Sequence, residues 1–102
     1  MTFQVRFTEE AAGDLERLYD FLLQGADGDW TLAERALAAI RGGLSLLETS
    51  PFAGRKLHGA PTFLRELVIG FGRAGYVALF EVEDDHTVTI LAVRHQREDD
   101  FS

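Results

Sequence analysis

Between Phe63 and His95 the chain carries three β-type segments with little between them: FLRELVI, YVALFEV and TVTILAVRH. GFGRAG separates the first two and the acidic EDDH separates the last two. Connections this short suit antiparallel neighbours, because a parallel pair needs a crossover of a dozen residues or more. An antiparallel meander is therefore the simplest arrangement. Its middle is apolar on both faces: Tyr76, Ala78, Phe80 and Val82 alternate with Val77 and Leu79, while Val88, Ile90 and Ala92 alternate with Leu91 and Val93. A half-covered antiparallel sheet normally turns a polar face to water. The surplus predicts either a protein partner or second copy on the open face, or a loop over residues 49–62 folded across it.

The first half supplies what covers the other face. TFQVRF alternates Phe3, Val5 and Phe7 with polar residues, the period of a half-buried strand. Thr8 suits a helix N-cap, with Glu9 and Glu10 in the first turn where the macrodipole favours acids. Ala11, Ala12, Leu15, Leu18, Tyr19 and Leu22 then recur at helical spacing to about residue 23. After QGADGD, Thr31 and Glu34 have the spacing of a capping box. A second helix follows, with Ala33, Ala36, Leu37, Ile40, Leu44 and Leu47 on one face. Gly42 and Gly43 inside it weaken the helix by about 1 kcal/mol each, so they are expected to permit close contact with a neighbour or a kink. TSPFAGRKLHGAPT reads as a long irregular connection. The expected fold is α+β: an N-terminal strand, an α-helical hairpin and a three-stranded antiparallel meander, β-α-α-β-β-β, with the helices on one face of the sheet. The first strand is expected at an edge or inside the sheet. At 102 residues, positions 1–102 are read as one domain.

Charge narrows the partners. Ten basic and seventeen acidic residues give a formal net charge of −7, a poor starting point for gripping phosphates. The basic residues nevertheless concentrate in the stretch 51–80, where Arg55, Lys56, Arg65 and Arg73 face Glu66 alone. There is no cysteine, hence no disulfide framework or thiolate metal site. With no long apolar run and no signal-like start, the reading is a soluble, cytoplasmic protein that does not meet a membrane. His58, His86 and His95 match no metal-site spacing, and GFGRAG opens no helix that would cradle a phosphate. Neither a cofactor nor a metal is expected.

The opening VRFTEEAAGDLERLYDFL, the SPFAGRKL loop, the hairpin FLRELVIGFGRAGYVALFEVEDD and the final ILAVRHQRED occur in that order. Together they resemble the RelE/ParE superfamily of toxins from bacterial type II toxin–antitoxin systems, over almost the whole chain. VRHQRED after a buried strand looks like the ParE, or plasmid-stabilisation, branch. The resemblance implies a toxin that poisons DNA gyrase and is neutralised by a cognate antitoxin wrapped around its helices and sheet. The antitoxin would carry a ribbon-helix-helix domain, so DNA would be contacted only through it, in a homodimer or a heterotetramer with antitoxin. RelE-type members instead cleave messenger RNA on the ribosome, and a non-toxic relative that only binds its partner is a third reading.

Cleaving RNA would require proton transfer and stabilisation of phosphate charge. Candidate groups exist in Lys56, His58, Arg65, Arg73, Arg94, His95 and Arg97, since histidine titrates near neutrality and arginine clamps phosphates. The resemblance places Phe101 near a tyrosine that RelE-type enzymes use, and a phenyl ring can neither give nor take a proton. Asp99 and Asp100 beside it would repel phosphates. The reading therefore leans away from an enzyme and towards an effector surface of Arg65, Arg73, Arg94, His95 and Arg97, with Arg55 and Lys56 as weaker candidates. Each arginine is as readily explained by internal salt bridging, and His95 by packing at the edge of the core.

Overall fold

A computed structural model describes residues 2–25, 30–61 and 63–96. Strand β1 (Gln4–Phe7) leads into helix α1 (Glu9–Gly25), helix α2 (Trp30–Leu46), a 3-10 turn (Pro51–Ala53) and a short strand β2 (Arg55–Lys56). The meander follows as β3 (Leu64–Phe71), β4 (Ala74–Val82) and β5 (Thr87–His95). They form one sheet in the order β1-β5-β4-β3-β2, and both helices lie on one face, as expected for α+β.

Two strands complete the meander. β1 settles at an edge, parallel to β5, with Val5 opposite Val88 and Phe7 opposite Ile90. Its parallel direction follows from the helical hairpin that separates it in sequence from β5. At the other edge β2, which the sequence left inside an irregular connection, pairs antiparallel with β3 through Arg55–Glu66 and Lys56–Arg65. The β3–β4 hairpin closes in two residues, since Phe71 pairs with Ala74. Gly72 takes φ 63°, the left-handed conformation that tight hairpin turns require and glycine adopts without strain.

Thr8 caps α1 as read: its Oγ1 accepts from the Ala11 amide at 3.1 Å. Helix α2 begins at Trp30, which puts Thr31 in the first turn and not at the cap. Glu34 Oε1 accepts from the Tyr19 hydroxyl at 3.1 Å across the hairpin. The apolar stripe of α2 is buried at Ala33, Ala36, Ile40 and Leu44, with Leu47 beyond its end. From α1, Ala11 and Leu18 are buried, whereas Ala12 is exposed. These residues meet Leu67, Ile69, Tyr76, Ala78, Phe80, Val88, Ile90 and Val93 in one core. Gly43 makes the predicted close approach: a Cβ there would lie 2.7 Å from Ile69 Cγ1, while Gly42 has nothing within 4 Å.

One irregularity decides what the end of β5 presents. Phe80 pairs with Ile90 but Leu79 pairs with Ala92, so Leu91 is an extra residue, a β-bulge. Simple alternation would keep Ala92 on the face of Val88 and Ile90. The bulge exchanges the faces, so Val93 continues the core and Ala92 turns to the opposite face. Helix α1 braces this point where β1 has ended. Thr8 Oγ1 lies 3.3 Å from the carbonyls of Ile90 and Leu91, and Asp14 Oδ2 accepts from the Val93 amide at 3.0 Å.

Candidate functional site

Neighbours on a strand point to opposite faces, and the bulge decides which face each of Arg94 and His95 takes. Arg94 is exposed and turns to the face opposite the helices, where it lines a hollow of about 190 Å³ with Leu57, Glu66, Val77, Leu79 and Ala92. His95 turns to the helix side and meets the buried Tyr76 ring edge-on, with ring centres 5.5 Å apart. Burial raises the Tyr76 phenol above its ordinary pKa, keeping that ring neutral beside the histidine. Arg73 is exposed in the β3–β4 turn. Because Tyr76 pairs with His95 and Val77 with Arg94, Arg73, Arg94 and His95 share one end of the sheet.

The others lie elsewhere. Arg65 belongs to the helix side, opposite Phe80 in the register. Its Nη1 donates to the Gly54 carbonyl at 3.0 Å and its guanidinium stands 5.0 Å from the centre of the Phe52 ring. It therefore ties the 51–54 turn to β3. Arg55 pairs with Glu66 at 2.5 Å and Lys56 is exposed beside it, both on the β2 edge. His58 is exposed in the loop. Arg97, Asp99, Asp100 and Phe101 lie outside the described residues.

The loop at 49–62 answers the question of the open face in part. It contributes β2 and, through Leu57, one wall of the hollow that holds Val77. Val77 is buried, Leu79 and Ala92 are half-buried, and Val68 stays exposed.

A larger concavity escaped the sequence reading. On the helix side, a groove of about 560 Å³ opens between α1, α2 and β1, walled by Val5, Phe7, Leu15, Leu37, Ile40 and Leu44. Glu16, Tyr19, Arg41, Ser45 and Glu48 also line it. The bond to the Glu34 carboxylate, ahead of burial and of the Glu34 and Asp20 charges, raises the Tyr19 phenol above its ordinary range. The groove runs beside β1, whose second edge pairs with no described strand. Its walls have core-like spacing in the sequence, so nothing in the pattern distinguishes a lined groove from a filled core.

The sheet thus carries a helical hairpin on one face and a partly apolar hollow on the other. Residues 5–100 match the family described as ParE toxin of type II toxin-antitoxin system, parDE. The chain belongs to that family, and so to the RelE/ParE superfamily of toxins. It is similar in structure to a chain of the chromosomal ParDE system of P. aeruginosa, with TM-score 0.72 and 22% identity over 92% of this chain and 96% of that one. A chain of the RelBE2 toxin–antitoxin complex of Mycobacterium tuberculosis matches with TM-score 0.62 and 26% identity, covering 93% and 92%. The E. coli DinJ-YafQ complex supplies a third fold match, with TM-score 0.55 and 10% identity over 96% and 97%. No curated protein sequence matches the chain.

Proposed function

We propose that this chain is a ParE-like toxin that poisons DNA gyrase and is neutralised by an antitoxin segment seated in the groove between α1, α2 and β1. The observation that carries the target assignment is the makeup of the hollow on the open face. It offers one arginine, one carboxylate and four apolar side chains. Such a surface suits a protein, whose interfaces combine an apolar centre with a few charges. It suits RNA poorly, because phosphate affinity grows with the number of unopposed cations. Of the remaining candidates for proton transfer or phosphate binding, Arg65 braces a turn away from this end, and His95, though at the same end, turns to the helix side and packs on Tyr76. Arg73 and Arg94 are therefore the leading residues of the effector surface, with Arg97 in the same stretch of sequence.

The antitoxin reading draws on the family and on the ParDE and RelBE2 solved structures, the latter a toxin–antitoxin complex. The groove suits an amphipathic helix, and the neighbouring edge of β1 suits strand addition. A ribbon-helix-helix domain in that antitoxin would carry the DNA contacts, and the pair would work in the cytoplasm beside gyrase. A second reading, cleavage of messenger RNA on the ribosome, follows from the resemblance to RelE-type toxins, and a chain of the RelBE2 toxin–antitoxin complex is among the fold matches. Purified chain incubated with gyrase, ATP and supercoiled plasmid separates the two. Gyrase poisoning yields linear DNA after detergent and protease, and Arg94→Ala reduces it by about tenfold or more, the loss common for a central interface arginine. Plasmid left intact at saturating protein, with ribosome-bound messenger RNA cut under matched conditions, would replace gyrase by the ribosome as the target.

A further inference from the structure

A third concavity, of about 490 Å³, lies at the other end of β1, where Phe3, Phe52 and Val82 make the floor and Asp84, Asp85 and His86 the rim. We infer that this hollow receives a lysine or arginine side chain from a protein partner, and that it continues the groove along β1. The inference rests on the reading that a partner segment occupies the groove.

Phe52 is 63% exposed, a large ring left in water, and it already takes the Arg65 guanidinium at 5.0 Å. An aromatic floor under carboxylates accepts a cation through both the ring quadrupole and the opposite charge. The turn at the rim is acidic, with Glu83, Asp84 and Asp85 consecutive and no lysine or arginine from 74 to 93, and these carboxylates outnumber the Arg65 guanidinium at the Phe52 ring. The backbone amide of His86 holds the Asp84 carboxyl below its ordinary range, so that carboxylate is charged at neutral pH.

The walls are also fixed in advance. The Gln4 amide donates to the His86 carbonyl at 2.7 Å, and the Glu83 amide to the Thr87 carbonyl at 2.9 Å. The His86 amide donates to Asp84 Oδ1 at 2.7 Å. A partner therefore does not have to order the turn as it binds. The guest needs an apolar stem and a terminal charge, which describes lysine and arginine. A polyamine would lay an interior ammonium on the apolar floor, at the cost of desolvating it.

Geometry joins this hollow to the groove. Phe3 lines the one, and Val5 and Phe7, on the same side of β1, line the other. Four residues of strand span about 13 Å, so an extended segment beside β1 would place its basic residue two to four positions from its apolar ones.

The probe is the capped peptide Thr-Leu-Thr-Leu-Thr-Lys-Thr, compared with versions carrying norleucine or glutamate in place of lysine. Binding to the isolated chain is followed by amide and aromatic NMR shifts. The lysine peptide should move both Val5 and Leu44 in the groove and Phe52, Asp85 and His86 in the hollow. It should bind about fivefold more tightly than the norleucine peptide, as one exposed ion pair and one ring contact allow. Phe52→Ala and Asp85→Asn, each checked for an unchanged melting transition, should remove that preference. Equal affinity for lysine, norleucine and glutamate peptides would overturn the inference while leaving the groove occupied. Spermidine shifting Asp85 and His86 as strongly as the peptide would also overturn it, by replacing the protein segment with a small polyamine. Shifts in neither region would remove both the inference and the groove reading beneath it.

Discussion

At the scale of single residues, Asp14 and Arg65 do work that their sequence neighbourhoods disguise. Asp14 looks like an ordinary acid on the exposed side of α1, yet its Oδ2 accepts from the Val93 amide just past the bulge. Asp14→Ala would leave that donor without its acceptor and cost about 1–3 kcal/mol, whereas Asp14→Asn, which keeps an acceptor oxygen, should cost less. Urea unfolding of the two variants checks the order. Asp84 gives a pH test. Its folded pKa is lowered, chiefly by the His86 amide, so its contribution is present above the unfolded value and fades as pH falls through the folded one. Acidification below about pH 4, the unperturbed carboxylate range, should therefore weaken the parent chain more steeply than Asp84→Asn. Melting temperature followed down the acid limb measures this. Thr8 was legible as a cap because capping is local chemistry. Arg65 is nameable from sequence as a candidate, but its bond to Gly54 and its contact with Phe52 are not, because they join residues more than ten positions apart.

At the scale of elements, the period of the apolar residues gave the two helices and the three long strands to within a few positions. What it missed has identifiable causes. β2 is two residues long and gains its identity from pairing with Glu66 and Arg65, so it has no period of its own. The bulge at Leu91 sits in a stretch apolar on both faces, where a one-residue slip leaves no mark on the pattern. That slip aims Arg94 at the hollow and His95 at Tyr76, so the candidate site could be named from sequence but not assembled. The paired glycines of α2 were read correctly only in part. Gly42→Ala meets open space and should stabilise the chain by about 0.5–1 kcal/mol through helix propensity. Gly43→Ala drives a methyl into Ile69 in a packed core and should destabilise it by about 1–2 kcal/mol after the same gain. Opposite shifts in denaturation midpoint at adjacent positions would verify that contact.

At the scale of the whole molecule, an acidic chain is divided into surfaces of different character. One end of the sheet carries Arg73 and Arg94, the turn between β4 and β5 is acidic, and an apolar groove lies between α1, α2 and β1. That division fits a protein that meets one partner for restraint and another for toxicity, and the family places it among toxins of type II toxin–antitoxin systems. The family was legible in the order of four short stretches. The target was not, because it depends on which few side chains converge, and the pattern of apolar residues does not encode that. The direct measurement is induction of this chain without an antitoxin in a bacterial host, with covalent gyrase–DNA complexes and messenger RNA 5′ ends assayed from the same culture. Gyrase poisoning predicts that covalent complexes accumulate as growth stops, while the messenger RNA ends stay unchanged. New codon-dependent 5′ ends appearing first, with gyrase unlinked from DNA, would contradict it.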